Sequence, residues 1–328
     1  MVYTQIKEKV YIPNKNLKKM PRFLACSGGG DKGLMQIGML LELYHECGKS
    51  SIAYDEMAGI SAGAFTCACM SQVTPDTFEP TIQALISYFS SDTIKITKPW
   101  IGGGSIFNFI DACLYHTSLY SNTNMNRMLH KWYDPSKVKI PFSVGCFNKS
   151  LAQYESFSSH CHDMYRICLA SSAIPVILPE VQIGPYVYQD GGMRHIIPIP
   201  EIKEWIQRTK GKKHIDVLVC FPIHNIHLFT KMTIPVFTFP IFNKAMEMVS
   251  NLMLEQLQND LLELSNILQR PIHDITKEPC GEFMKGDLTI RILSPRDGQY
   301  HSITSMNKRR NKKLFTKGKS IVHTFLKI

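Results

Sequence analysis

A serine between two glycines is the first residue whose setting could support chemistry. Residues 59–63, "GISAG", fit the pattern G-x-S-x-G, which places a serine on a sharp turn between a strand and a helix. Glycine is suited to such a turn because a β-carbon near the serine would not fit. Ser61 at a helix start would also lie where the helix dipole stabilises negative charge. The pattern therefore predicts Ser61 as a nucleophile.

A glycine-rich turn near the N-terminus, "GGGDKG" (28–33), has two interpretations. As G-x-G-x-x-G it fits a dinucleotide site, with Asp55 as the acidic residue about 20 positions later. That interpretation leaves Ser61 and its glycines unexplained. Alternatively, the backbone N–H groups of residues 28–30 form an oxyanion hole beside Ser61, since an ester oxygen could reach amides that carry no side chain.

A serine nucleophile needs a base, and Asp190 is a candidate. It stands at the end of a predicted strand, before Gly191 and Gly192, a position that a structural turn aspartate would also suit. A carboxylate with an ordinary pKa of about 3.9 is a poor base in water, but burial raises that pKa. None of the twelve histidines stands in a pattern that marks it as the base.

Two strand–turn–helix units would position these residues. Residues 22–27, "RFLACS", predict a buried strand before the glycine-rich turn, and residues 33–47 have the apolar spacing of a helix. Residues 55–60 predict the next strand, and 61–72 predict a tightly packed helix of small residues. This repetition favours an α/β sheet with ligand chemistry at the carboxyl ends of the strands.

The later elements follow without an internal repeat or a low-complexity linker, which favours a single catalytic domain. The patterns predict an antiparallel hairpin at 142–148 and 152–159, a helix at 164–173, a short strand entering a glycine turn at 186–192, an amphipathic helix at 201–213, a buried strand at 215–222 and a long helix at 241–269.

Together these segments resemble the patatin-like phospholipase family of lipid acyl hydrolases. "GGGDKG" (28–33) resembles the family's glycine-rich oxyanion motif, "GISAG" (59–63) its nucleophile elbow and "DGG" (190–192) its catalytic aspartate motif, in the family's order. "ASSAIP" (170–175) resembles the segment before that aspartate. The resemblance covers about residues 22–225; it thins through the long helix and is absent from the basic tail.

The resemblance implies the patatin-like three-layer α/β fold, with a mostly parallel central sheet flanked by helices. It also implies a catalytic dyad of Ser61 and Asp190 without histidine, which would cleave fatty-acyl esters of membrane lipids without a metal or other cofactor. The amides of the oxyanion hole would come from Gly28, Gly29 and Gly30. The residues that support the three motifs are Lys32, Gly33, Gly59, Gly63, Gly191 and Gly192.

Two other functions stay open. An α/β-hydrolase esterase would add a histidine after Asp190, such as His195, His214 or His224, to the serine and the aspartate. A non-catalytic effector would keep the fold and bind lipid without cleaving it. The near-neutral body and the lack of a recognisable binding motif argue against a nucleic-acid partner. Lipid class, sn-position, activator and oligomeric state are open.

The formal net charge of +10 is concentrated at the two ends of the chain. Residues 1–22 carry six Lys or Arg and one acid, and residues 308–328 carry eight and no acid. Such termini suit peripheral binding to an anionic membrane or binding to nucleic acid, and solvated tails that aid solubility would have the same composition. We therefore predict a basic segment at 1–21, a patatin-like domain at 22–300 and a basic tail at 301–328.

Three further segments could contact lipid or move. The tail has Ile321, Val322, Phe325 and Leu326 at helical spacing, which suits a membrane surface or docking against the domain equally. The apolar segment "IPVFTFPIF" (234–242) is interpreted as a lipid-contacting loop or lid, or as a buried connection. The glycine cluster "IGGGSIF" (101–107) is interpreted as a mobile loop.

The sequence also indicates the cellular compartment of the protein. It has no run of about 18 apolar residues, and its polar N-terminus lacks a secretory signal. The ten cysteines form no C-x-x-C pair and are interpreted as free buried thiols in a reducing compartment, the cytoplasm. His160 to Asp163, "HCHD", has no second ligand pair at zinc spacing, so no metal site is predicted.

Overall fold

A computed structural model describes residues 20–90, 98–99, 110–111, 114–225, 240–297 and 308–327. Three predictions lie wholly or largely outside these ranges: the basic segment at 1–21, the glycine cluster at 101–107, and the lipid-contacting loop or lid at 234–242.

Most of the strands are short and buried, as expected for apolar runs bounded by glycine or polar turns. The strands are β1 (Arg22–Cys26), β2 (Glu56–Ile60), β3 (Lys98–Pro99), β4 (Tyr120–Ser121), β5 (Phe142–Asn148), β6 (Gln153–Ser158), β7 (Val181–Ile183), β8 (Tyr186–Asp190), β9 (Lys213–Leu218), β10 (Cys280–Lys285) and β11 (Leu288–Leu293).

One large sheet has the order β10-β11-β9-β1-β2-β5-β8-β7, and β6 also pairs with β5. The five central strands, from β11 to β5, are parallel, whereas the strands at both edges pair antiparallel. The predicted α/β sheet is thus confirmed. The carboxyl ends of β1 and β2 lie next to each other because the two strands are parallel neighbours.

Helices pack on both faces of the sheet and complete the predicted three layers. The helices are α1 (Gly33–Cys47), α2 (Ala62–Met70), α3 (Phe78–Phe89), α4 (Thr123–Trp132), α5 (Met164–Ser171), α6 (Ile199–Arg208), α7 (Pro240–Leu268), α8 (Ile272–Thr276) and α9 (Lys308–Leu326). On one face Cys26 of β1 meets Cys67 of α2. On the other, Phe23 of β1 meets Trp205 of α6 at 5.2 Å between ring centroids.

The C-terminal helix α9 lies against α1 at backbone contact. A β-carbon on Gly38 would overlap the Phe315 carbonyl oxygen, and one on Gly318 would overlap the Met35 carbonyl oxygen. Ile321 and Val322 of α9 are buried, whereas Leu326 is exposed. The apolar face of the tail therefore docks against the domain, which was one of its two open roles.

Two neighbouring elements differ clearly from their predicted bounds. The amphipathic helix predicted at 201–213 ends at Arg208, and β9 begins at Lys213 rather than at 215. Gly211 has a positive φ of 72° between them, so the backbone reverses there and Lys213 enters the sheet. Within the described ranges, no helix combines the length and apolar character needed to cross a membrane.

The nine cysteines in the described ranges are free, as predicted, but not all are buried. Cys47 at the end of α1 and Cys161 in the turn after β6 are exposed. Their neighbours in the sequence are not apolar: Glu46 and Gly48 flank Cys47, and His160 and His162 flank Cys161.

Asp216 of β9 is the centre of a buried charge cluster. It accepts hydrogen bonds from Arg22 at 2.8 Å and Arg291 at 2.7 Å, from the Tyr54 hydroxyl at 2.8 Å, and it pairs with His214 at 2.8 Å. Burial alone would raise the pKa of Asp216, but these partners hold it well below its usual range. The cluster links β1, β9 and β11 on the face that α1 covers.

Candidate active site

Ser61 lies on a strained turn between β2 and α2. It is buried, stands at the N-cap position of α2 without a capping hydrogen bond from its side chain, and has φ 54° and ψ −118°, a conformation rare for a residue with a side chain. The flanking glycines permit the turn, since a β-carbon on Gly59 would overlap the Gly63 carbonyl and one on Gly63 would overlap the Cys26 carbonyl. Strain of this kind is typical of functional positions.

The backbone of Ser61 is fixed by a residue whose role the sequence did not reveal. The buried hydroxyl of Ser171 accepts a hydrogen bond from the Ser61 N–H at 2.8 Å and donates one to the Gly145 carbonyl at 2.7 Å. Ser171 belongs to the "ASSAIP" segment, so the resemblance marked the segment without indicating this function. The bridge holds the turn against β5.

Sheet pairing explains why Asp190 comes close to Ser61. Strand β2 pairs with the first half of β5, so that Ile60 lies opposite Gly145. Strand β8 pairs antiparallel with the second half, so that Asp190 lies opposite Cys146. Since β6 pairs along the whole of β5, β2 and β8 share its other edge and their carboxyl ends meet there.

Asp190 is buried and its pKa is raised to about 7, because desolvation outweighs hydrogen bonds from the Gly192 N–H and the Ser61 hydroxyl. The Gly192 N–H donates to Oδ1 of Asp190 at 2.7 Å. Among the described residues, Oδ2 of Asp190 has no hydrogen-bond partner of normal geometry. Oδ2 therefore has the capacity to accept a hydrogen bond or a proton.

The glycine-rich turn lies beside Ser61, but its three amides are not equivalent. The Gly28 N–H donates to the Ile196 carbonyl at 2.9 Å, so it is already used, contrary to its predicted role. In the described part of the chain the N–H groups of Gly29 and Gly30 make no such bond. A β-carbon on Gly28 would lie 3.6 Å from the Ser61 β-carbon, which shows how close the turn is to the serine.

The other glycines of the motifs are required by close packing. A β-carbon on Gly33 would lie 2.8 Å from the Ala62 β-carbon, one on Gly191 would overlap the Gly145 carbonyl, and one on Gly192 would lie 2.9 Å from Asp190 Oδ1. Lys32 is different, because its ammonium lies 4.8 Å from the centre of the Phe221 ring.

Asp260 in α7 holds the segment after "DGG" and was missed by the sequence analysis. Its Oδ2 accepts hydrogen bonds from the N–H groups of Ile196 at 2.6 Å and Ile197 at 2.8 Å. Its Oδ1 lies 2.7 Å from His195 Nδ1. The Ile196 carbonyl oxygen in turn accepts the hydrogen bond from the Gly28 N–H. Asp260 is therefore connected to the glycine-rich turn through Ile196. No local pattern could have revealed an aspartate in the long helix.

The histidines proposed as a base have other roles. His195 pairs with Asp260 and His214 with Asp216, while the pKa of His224 is lowered by burial and by Arg296. Within the described ranges, Ser61 has no hydrogen bond to a histidine. The geometry therefore does not favour the three-residue alternative.

Asp55 does not support a dinucleotide site. Its carboxylate accepts a hydrogen bond from the Arg22 N–H at 2.8 Å, at the amino end of β1. The glycine-rich turn follows the opposite, carboxyl end of the same strand. An acidic residue that binds a ribose would have to lie at that end.

An apolar cavity opens beside Ser61. Its wall includes Ser61, Gly30 and Asp31 on one side, and otherwise mainly side chains from α1 to α5 and the loop after α5. The apolar residues of this wall include Phe65, Leu85, Phe89, Met128, Leu129, Ile174, Ile177 and Leu178. The arrangement would place an apolar chain with one end at the serine.

Comparison with known proteins gives one family. The model described as patatin-like phospholipase matches residues 24–202, more than half of the chain and the part that holds all three motifs. No curated protein sequence matches the chain.

Solved structures match the chain at low identity. Human GIVD cytosolic phospholipase A2, in complex with methyl gamma-linolenyl fluorophosphonate and terbium chloride, matches with TM-score 0.53 and 10% identity, over 95% of this chain and 59% of that chain. VipD from Legionella pneumophila matches with TM-score 0.40 and 10% identity, over 94% and 67%. ExoU with SpcU from Pseudomonas aeruginosa matches with TM-score 0.28 and 13% identity, over 79% and 59%. The chain thus spans less than two thirds of the phospholipase A2 chain.

Proposed function

Because the chain belongs to the patatin-like phospholipase family, we propose that it is a lipid hydrolase that cleaves fatty-acyl esters of membrane lipids with Ser61 and Asp190. One observation carries the proposal. A serine on a strained turn lies beside a buried carboxylate whose pKa is about 7, at the opening of an apolar cavity.

In the first half-reaction, Asp190 accepts the proton of the Ser61 hydroxyl while Oγ attacks the ester carbonyl carbon. The amides of Gly29 and Gly30 donate hydrogen bonds to the oxyanion that forms. The carbon–oxygen bond to the alcohol then breaks, and Asp190 returns its proton to the departing oxygen. An acyl-serine and a free alcohol or lysophospholipid result.

In the second half-reaction, water replaces the alcohol. Asp190 accepts a proton from the water as its oxygen attacks the acyl carbon, and the same two amides hold the oxyanion. The bond to Ser61 Oγ breaks, Oγ takes the proton from Asp190, and the fatty acid leaves. A base with a pKa near the working pH is well suited to both steps, and every group used belongs to the chain or to water.

The apolar cavity supports a lipid substrate. A fatty-acyl chain would lie against the leucine, isoleucine, methionine and phenylalanine side chains of the wall, and burying each CH₂ group stabilises binding by about 0.8 kcal/mol. The carbonyl carbon would then lie at Ser61.

We further propose that the exposed basic side of α9 holds the enzyme on anionic membranes. Lys308, Arg309, Lys312 and Lys313 are exposed at the start of this helix, one turn from Arg310, which contacts Asp31 in the cavity wall. Since the apolar side of α9 is buried, the attraction would be electrostatic, at about 1 kcal/mol for each basic residue.

The double replacement Lys312→Glu and Lys313→Glu should weaken binding to vesicles of phosphatidylserine and phosphatidylcholine at least about tenfold. Vesicle sedimentation at low and high salt would measure this. The control makes the same charge change at Lys210 and Lys212, which are exposed just before β9, at the amino end of the parallel strands. Equal loss in both variants would contradict a role for this helix.

The function itself is tested by incubating the purified chain with mixed phospholipid vesicles and a chelator. We expect release of free fatty acid and lysophospholipid in equal amounts, unaffected by the chelator. The two products identify which ester bond is cut. Vesicle binding without any product, for each lipid class tried, would instead favour the non-catalytic lipid-binding effector.

A further inference from the structure

We propose that Arg310, in the C-terminal helix α9, positions the glycine-rich turn through Asp31. This inference rests on the proposed function, since it concerns how the Gly29 and Gly30 amides are held. Arg310 lies 279 positions from Asp31 in the sequence and outside the residues that the family model matches. It would act as a positioning residue, without contact to the substrate.

The contact joins the helix directly to the turn. Arg310 Nε donates a hydrogen bond to Asp31 Oδ2 at 2.6 Å, and the side chain of Asp31 is fully buried while that of Arg310 is 17% exposed. Asp31 is the middle residue of the single 3-10 turn Gly30–Lys32. Its neighbour Gly30 carries one of the two available amides, so a shift of the Asp31 side chain would shift that amide.

The position of the Asp31 carboxylate depends strongly on its contact with Arg310. Burial raises the pKa of its carboxyl group, while Arg310 and Lys32, the charged groups that face it, lower that pKa. In the described part of the chain, Oδ1 of Asp31 has no hydrogen-bond partner, so the contact with Arg310 at Oδ2 is a large share of what holds the carboxylate. Removal of one partner from a buried ion pair leaves an uncompensated charge. Without Arg310, the Asp31 carboxylate would have to take up a proton, or the turn that carries it would have to rearrange.

The helix itself has other anchors. Asn311 donates to the Phe89 carbonyl at 2.6 Å, Lys317 pairs with Asp297 at 3.2 Å, and Gly318 lies against the backbone of α1. Loss of Arg310 should therefore leave α9 docked and disturb the turn alone.

The test compares Arg310→Ala with Lys317→Ala, which also removes an ion pair of α9 but does not reach the turn. With p-nitrophenyl butyrate as a soluble substrate, we expect kcat of Arg310→Ala to fall about 10- to 100-fold with KM within twofold, since a misplacement of about 1 Å can cost 10² in rate. Arg310→Lys, which keeps the charge, should recover part of the loss. Lys317→Ala should stay within twofold of the wild type.

Hydrogen exchange gives a second measurement that does not require activity. Amides of Lys32 and Gly33, which close the turn, should exchange faster in Arg310→Ala than in Lys317→Ala, with exchange in α9 unchanged. Equal exchange and equal kcat in the two variants would overturn the inference, and so would faster exchange throughout α9. If the wild type released no product, the proposed function would fail, while exchange would still decide the role of Arg310.

Discussion

Replacing Ser61 with alanine should lower ester hydrolysis by about 10⁴-fold or more, because no other group can form the acyl intermediate. The fold should be unchanged, since the Ser61 hydroxyl makes no hydrogen bond of normal geometry to the described residues. Fatty-acid release from vesicles measures the effect, and thermal unfolding verifies the fold. Ser136→Ala, at an exposed turn far along the chain, is the control and should keep full activity.

Asp190→Asn should reduce the rate by about 10²- to 10⁴-fold, the usual contribution of a positioned base. In the wild type, kcat/KM should rise with pH through about 7, because Asp190 must lose its proton to act as a base and its pKa is raised to about 7. A rate that stays constant between pH 5 and 9 would contradict this role. Retained activity in both Ser61→Ala and Asp190→Asn would exclude the proposed chemistry.

The raised pKa of Asp190 also means that this residue lowers the free energy of unfolding at pH values where it is ionised. Its pKa is higher in the folded chain than in the unfolded chain, so its contribution to stability is fully present below pH 3.8 and is lost as the pH rises through about 7. The loss approaches about 4 kcal/mol, since each pKa unit corresponds to about 1.4 kcal/mol. Asp190→Asn should therefore unfold at a higher temperature than the wild type at pH 8, with a much smaller difference at pH 4.

Asp216→Ala should lower the free energy of unfolding by about 3 to 5 kcal/mol, because it leaves two buried guanidinium groups without their counter-charge. Arg22 and Arg291 are the groups affected, at 2.8 and 2.7 Å from the Asp216 carboxylate. Urea denaturation followed by circular dichroism would show the midpoint move to lower urea. The result would also measure how much the Asp216 carboxylate contributes to the stability of the sheet.

The control for Asp216 is an ion pair of similar length on the surface. Lys49 and Asp76 lie 2.6 Å apart with side chains 60% and 80% exposed, and such pairs contribute about 0 to 1 kcal/mol. Asp76→Ala should therefore shift the midpoint little. Equal shifts in Asp76→Ala and Asp216→Ala would show that the buried cluster contributes no more than a surface pair.

The pattern of neighbouring residues in the sequence was sufficient to predict β1, β2 and the two turns that follow them. The turn at Ser61 and the glycine-rich turn each combine a buried strand, small residues and a helix within a few positions, so their geometry follows from residues that are neighbours in sequence. The central strands β1 and β2 were found for the same reason. Proximity of Asp190 to Ser61 followed only from the family resemblance, because it depends on how β2 and β8 share one edge of β5.

Contacts between distant residues could not be predicted. The use of the Gly28 amide by Ile196 requires the position of a loop about 170 residues away, and Asp260, which holds that loop, stands in a helix with an ordinary apolar stripe. The antiparallel pair β10 and β11 was not predicted at all. The alternation of exposed and half-buried residues in β10 is weak, β11 is almost wholly buried, and both strands lie beyond the recognised motifs.

The strand order has a consequence for synthesis of the chain. Strand β1 leaves the ribosome well before its neighbour β9, since the paired residues Arg22 and Asp216 lie 194 positions apart. At about 5 to 20 residues per second, one edge of β1 waits about 10 to 40 s for its partner. The nascent chain therefore carries its serine long before it can complete the sheet around it, and Arg310 is translated 279 residues after Asp31. Under the proposed function, the ability to attack lipids would arise only after Arg310 has been translated, and the membranes near the ribosome would not be attacked until then.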